Sequence, residues 1–182
     1  MTQIGISKVL IRTYGLFWKP EDVFWGGPNK KGSLLGIHSL EKKSKPVDFR
    51  EQIGIYVLYA DYKIVYIGQA GQGNRNLFDR LKEHFIKDDL VGRWNRFSWF
   101  GIKWVTNVDK LSVAPKNLYP PLDILLNHIE AILIHASEPP LNRQGGKWGS
   151  VVEKYFQYRD EKLGPKDSEA IQKLLKIKDS EK

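Results

Sequence analysis

The sequence predicts an α+β fold, from three observations. Two strand-like strings, GIYVLYA from Gly54 and IVYIGQA from Ile64, flank a short polar break and read as an antiparallel hairpin. Two segments, NLFDRLKEHFI and DILLNHIEAILIHASE, carry apolar residues at helical spacing. Between them WNRFSWFGIKWV (residues 94–105) alternates aromatic residues in the manner of a third strand.

Taken in order, the elements fall into three regions. Residues 1–50 read as a basic and aromatic extension packed on the core. Phe17-Trp18 and Phe24-Trp25 bracket Lys19-Pro20-Glu21-Asp22, and the Pro and Gly punctuation favours short strands or irregular packed segments over long helices. Aromatics interleaved with Lys30-Lys31 and Lys42-Lys43 could stack bases, but paired apolar residues more often anchor a lead-in to its core. Residues 51–149 form the main unit. After the hairpin, GQGNRN is a connection; no Lys-Ser/Thr follows its glycines, so it fits no P-loop. The helix over 77–86 buries Leu77, Phe78, Leu81 and Phe85, with Asn76 or Asn74 as its cap. A loop ending in Pro120-Pro121 opens the apolar helix over 123–138. Residues 150–182 read as a helical extension, VVEKYFQYRDEKL followed by KDSEAIQKLLKIK with Ile171, Leu174 and Leu175 on one stripe.

Composition narrows the function classes. The 182-residue chain has no apolar run of membrane-spanning length, no secretory leader pattern and no cysteine. Thiolate metal sites, disulfides and cysteine nucleophiles are therefore excluded, and a cytoplasmic protein is the simplest expectation. The net charge of +8 suits a polyanionic partner such as nucleic acid, although a charge of this size also serves solubility alone. Most of the excess precedes the hairpin: residues 1–50 carry nine Lys/Arg against four Asp/Glu.

Several residues could carry chemistry. Tyr56 and Tyr66 place two phenols on the hairpin. Arg80 and His84, four apart, project from one helix face; a guanidinium grips phosphate and an imidazole moves protons near neutral pH. Glu130 sits among Ile129, Ala131, Leu133 and Ile134, where a buried carboxylate would need a partner or a metal. His128 and His135 make no metal-ligand spacing with it and read as structural. Asn142 follows Pro139-Pro140-Leu141, a backbone that would place its side chain reproducibly.

In this order, GIY, YIG, Arg-x-x-x-His, a helix with Glu and then Asn, the chain resembles the GIY-YIG nuclease family over about residues 51–149. The matching positions are Tyr56, Tyr66, Gly68, Arg80, His84, Glu130 and Asn142. The resemblance implies a small central antiparallel three-stranded sheet flanked by helices, and hydrolysis of nucleic-acid phosphodiesters with one divalent ion, Mg²⁺ or Mn²⁺. Carried over by position, Glu130 would be the metal ligand. Tyr56 would be the general base, assisted by His84, provided its phenol pKa falls or is bypassed. Arg80 would neutralise phosphoryl charge. Tyr66 would hydrogen-bond around the nucleophile or phosphate, and Asn142 would orient phosphate or water.

These positions imply a metal-dependent endonuclease acting on DNA in preference to RNA, with no membrane partner. Cutting both strands with one active site calls for a dimer or two sequential nicks. The alternative is a nucleic-acid-binding module that keeps the fold without catalysis. The hairpin sets a geometric condition: Tyr56 and Tyr66 share a sheet face only if the turn has an odd number of residues or contains a bulge, which predicts a three- or five-residue connection around Ala60–Tyr62, or a G1-type bulge, rather than a plain two-residue turn.

Overall fold

The computed structural model describes residues 9–40, 44–116, 118–142, 144–148 and 151–166. In chain order its elements are β1 (Thr13–Trp18), a 3₁₀ turn (Pro20–Asp22), β2 (Leu35–Ile37), β3 (Val47–Asp48), β4 (Gly54–Ala60), β5 (Lys63–Ala70), a 3₁₀ turn (Gln72–Asn74), α1 (Leu77–Ile86), β6 (Arg96–Gly101), α2 (Leu122–Ser137), β7 (Glu153–Lys154), β8 (Phe156–Gln157) and a last 3₁₀ turn (Glu161–Leu163). The architecture is α+β. A five-stranded mixed sheet runs β5-β4-β6-β1-β7, and a three-stranded sheet runs β3-β2-β8.

The expected three-stranded sheet is present only as one end of a larger one. Strands β5, β4 and β6 pair antiparallel, but β1 continues the sheet beyond β6 and β7 joins β1 in parallel. The residues ahead of the hairpin therefore supply an interior strand. Trp18 is fully enclosed and packs edge-on to Phe97 and Trp99, while Trp25 stacks on Phe85 at 4.7 Å. Residues 151–158 form β7 and β8 where a helix was expected. Val151, Val152, Tyr155, Phe156 and Tyr158 have strand propensity, and the Tyr155 and Glu153 amides donate to the Tyr14 and Arg12 carbonyls. The second expected C-terminal helix, over KDSEAIQKLLKIK, lies outside the described residues.

The two tyrosines do share a face, but the connection is a two-residue turn instead of the expected three- or five-residue one, and the parity is changed by a bulge within β5. Asp61 and Tyr62, both at positive φ, make a two-residue turn, and Asn95 holds Asp61 with a side-chain amide bond of 2.7 Å. Beyond Tyr59–Ile64 the register slips by one residue, leaving Val65 unpaired, so that Leu58 opposes Tyr66 and Tyr56 opposes Gly68. Tyr56, Leu58, Tyr66 and Gly68 consequently share one face. Gly54 is required where β4 meets β6: at φ +148° a Cβ there would lie 2.1 Å from the Phe100 carbonyl oxygen.

The two faces carry different helices. Tyr56 and Leu58, with Phe97 and Trp99, face α1 through Leu77, Phe78 and Leu81. The alternate residues Val57, Tyr59 and Phe100 face α2 through Ala136 and Ile132, and the Tyr59 hydroxyl donates to the Ala136 carbonyl at 2.9 Å. Asn76 caps α1 by accepting from the Asp79 amide, and the Leu77 amide donates to the Gln52 carbonyl, which fixes the helix start to the chain entering β4.

Candidate active site

Four of the sequence-predicted residues converge on the α1 side of the hairpin. The Tyr56 hydroxyl lies 2.7 Å from His84 Nε2, and both side chains are closed to solvent, at 0% and 3% exposure. The Tyr66 ring packs against His84 at 4.9 Å and against Tyr56 at 6.1 Å. Gly68 is part of this packing: a Cβ there would sit 2.3 Å from the Tyr56 hydroxyl and 2.8 Å from the Tyr66 ring. The glycine of the second string is therefore the space in which the phenol rests.

Arg80 stands one helical turn ahead of His84 and lines a cavity of about 580 Å³ with Tyr66, Gly68, Arg75 and Gln72. Ile55, Ile67 and Gln69, which point to the other sheet face, line the same cavity, so it wraps around the edge of β5, which pairs with no other strand than β4 among the described residues. Glu83 holds both arginines, 2.6 Å from Arg80 Nη1 and 3.0 Å from Arg75 Nη1. Two guanidinium groups thus share one carboxylate and leave net positive charge at the rim. Arg80 Nε is buried with no hydrogen-bond partner.

Behind these groups, His84 Nδ1 is hydrogen-bonded to Asp88 Oδ2, and Asp88 Oδ1 accepts the Leu90 amide at 3.0 Å. Burial works against the Asp88 carboxylate. The Leu90 and His84 hydrogen bonds and the nearby Arg80 charge outweigh it and hold its pKa below the usual range. Asp88, Glu83 and Arg75 were not singled out from the sequence. The i,i+4 spacing of His84 and Asp88 was the available signal.

Of the two conditions for Tyr56 as a base, a lowered pKa is not the one met. Burial pushes the phenol up to about 12; Arg80 pulls the other way, and Tyr66 adds to the rise. Burial pushes Tyr59 to about 12 as well, with a hydrogen bond to Ser98 opposing it. A pKa raised in the folded state stabilises the fold fully below the unfolded value near 10, and that stability is lost as pH rises through about 12. Denaturant midpoints are therefore expected to be flat from pH 8 to roughly 9.5 and then to drop steeply, with the buried phenols' share of the tyrosinate absorbance appearing together with unfolding. Tyrosinate absorbance completing near pH 10 with the fold intact would refute the buried phenols.

Glu130 is not buried, which corrects the sequence reading. The side of α2 turned to the sheet is the narrow strip His128, Ala131, Ile132 and Ala136; Glu130 points away from it, and its apolar neighbours Leu126 and Leu133 are themselves 57% and 61% exposed. His128 is structural: its Nδ1 accepts the Ile11 amide and its Nε2 donates to the Trp148 carbonyl. His135 stacks on Trp148 at 5.4 Å. Asn142 is exposed, with its amide donating to the Pro139 carbonyl, and it shares a cavity of about 560 Å³ with Glu130, Asn127 and Gln144. No residue lining that cavity lines the Arg80 cavity, and α2 packs on the opposite sheet face from α1.

The structure therefore assembles Tyr56, Tyr66, Arg80 and His84 as one group and Glu130 with Asn142 as another. By chemistry the second group fits a hard divalent ion: one carboxylate, amide oxygens and room for water, the donor set that Mg²⁺ tolerates. Among the described residues there is no group of three or more His, Cys, Asp or Glu side chains placed to bind a metal. Compared with known proteins, the chain matches no family model, no curated protein and no solved structure.

Proposed function

We propose that the protein is a nuclease that hydrolyses phosphodiester bonds, cutting internally and with DNA as the favoured substrate, along the lines of the GIY-YIG nucleases that its motif order resembles. One observation carries this reading: two tyrosines, a histidine and an arginine from separate elements meet on one sheet face, beside an arginine-rimmed cavity at a free strand edge. A cavity that wraps the β5 edge suits an extended polymer better than a small ligand, because a phosphodiester chain crossing that edge touches groups on both faces. Such a chain could meet Arg80 on one face and the Glu130–Asn142 group on the other.

Arg80 and Arg75 would take the phosphate in exchange for Glu83, a swap of one anion for another. A phenol whose pKa is raised to about 12 is protonated at rest, so Tyr56 acts as a carrier in a relay rather than as a standing phenolate. The step requires that phosphate binding uncover the enclosed Tyr56 oxygen; as the water oxygen then bonds to phosphorus, a water proton passes to the Tyr56 oxygen and the Tyr56 proton passes to His84 Nε2. The phosphorus–oxygen bond to the leaving group breaks, that oxygen takes a proton from solvent, and His84 later returns its proton to solvent. Tyr66, on the cavity wall, would orient the water or phosphate. Glu130 and Asn142 would hold a divalent ion, which when bound would neutralise phosphate charge where the chain crosses the α2 face, away from the Tyr56–His84 pair.

Incubating the protein with plasmid, single-stranded DNA and RNA, in Mg²⁺ or EDTA, tests this. Mg²⁺-dependent cleavage of DNA that is lost in Glu130→Ala supports it; undiminished cleavage in that variant removes Glu130 as the metal ligand. The second reading, a binding module without catalysis, draws on the enclosure of Tyr56 and the separation of Glu130 from the Arg80 cavity. Retention of DNA without cleavage in either buffer would establish it.

A further inference from the structure

His84 is the pivot of the site, and its ring can serve only in one orientation and one tautomer. Nε2 faces the Tyr56 hydroxyl, and Nδ1 faces Asp88. A carboxylate only accepts hydrogen bonds, so the proton of the neutral ring must be on Nδ1, which leaves Nε2 with a lone pair aimed at the phenol. No other carboxylate of the described residues is hydrogen-bonded to His84. The nearest alternative, Glu83 on the same helix, is occupied by Arg75 and Arg80. Asp88 is itself fixed, since its second oxygen accepts the Leu90 amide. The groups facing the imidazole are Tyr56, Tyr66 and Asp88, with Arg80 one helical turn away on α1.

We propose that Asp88 is the positioning residue of this site, holding His84 in the Nδ1–H tautomer so that Nε2 accepts the Tyr56 proton. The role rests on the nuclease reading for its consequence in catalysis, but not for its geometry. It has the logic of a carboxylate that orients a histidine and stabilises the imidazolium formed when the ring takes a proton. A helix-end residue that merely capped the Leu90 turn would need its Oδ1 only.

Asp88→Asn separates the two roles. The amide oxygen still accepts the Leu90 amide, while the NH₂ group now donates to Nδ1 and drives the ring proton to Nε2, which then donates to the Tyr56 oxygen and can no longer accept its proton. Nitrogen-15 NMR of His84 is expected to show Nδ1 protonated in the wild type and Nε2 protonated in Asp88→Asn. Cleavage by the variant should lose 10- to 100-fold in kcat with KM within about twofold, and the acidic limb of the pH–rate profile should move. An Nε2-protonated wild type, or a tautomer unmoved by Asp88→Asn, would overturn the proposal. Should the wild type cut no nucleic acid at all, the nuclease reading fails while the NMR measurement still decides the role of Asp88. The wild-type spectrum alone also decides it if the variant does not fold.

Discussion

Arg80→Ala is expected to lower the cleavage rate by about 10³-fold, equivalent to roughly 4 kcal/mol of transition-state stabilisation. Among the described residues Arg80 is the cation that both interacts with Tyr56 and lines the open cavity. Its buried Nε has no hydrogen-bond partner among the described residues, so a phosphate oxygen could satisfy it only if the guanidinium turns toward the cavity on binding. The fold should hardly notice the change. The Arg80–Glu83 pair sits on the helix surface with Glu83 about a third exposed, and such pairs contribute at most about 1 kcal/mol. Arg80→Lys keeps the charge but not the fork, so it should recover only part of the rate. Arg75→Ala, at the outer rim, should cost about tenfold, mostly in KM, because it grips substrate and transition state alike. Single-turnover cleavage of a short duplex, beside denaturant unfolding, measures all three. Arg80→Ala cutting within threefold of the wild type would exclude it from the chemistry.

How far the sequence reveals this site depends on how local each cause is. The hairpin, α1 with its Asn76 cap, β6 and α2 follow from periodicity and turn residues, and all four are present. The condition on Tyr56 and Tyr66 follows from strand parity alone, and the bulge at Val65 satisfies it. What sequence could not supply was long-range. Nothing near Thr13–Trp18 announces that it will pair with β6 on one side and with residues 153–154 on the other. That pairing is why the sheet has five strands and why Glu153–Lys154 is a strand despite a moderate helical period. Glu130 was misread for a related reason. Apolar neighbours in sequence imply burial only if another element covers them, and α2 lays only a narrow strip on the sheet. Asp88 was overlooked because its role comes from a partner four residues earlier whose own role depends on a strand 28 residues away.

Gly68→Ala is expected to destabilise the fold by about 2–3 kcal/mol and to reduce cleavage about 10²-fold in the molecules that remain folded. The added methyl carbon would lie 2.3 Å from the Tyr56 hydroxyl, 2.4 Å from its ring and 2.8 Å from the Tyr66 ring. A phenol has two side-chain torsions, and this one is walled in between Trp99, His84 and Tyr66, so it cannot swing aside without breaking its bond to His84 Nε2. Conformational entropy works in the opposite direction, since alanine costs less than glycine to order, but only by up to about 1 kcal/mol. Gly27→Ala is the matched control, because nothing lies within 4 Å of its missing Cβ and its stability should change little. The two effects of Gly68→Ala are separable. If stability falls as expected but the rate per folded molecule does not, the displaced phenol carries no proton in the reaction. Tyr56 would then serve only to hold His84 from behind, and the base would have to be a group that faces the cavity, with Tyr66 the first to substitute.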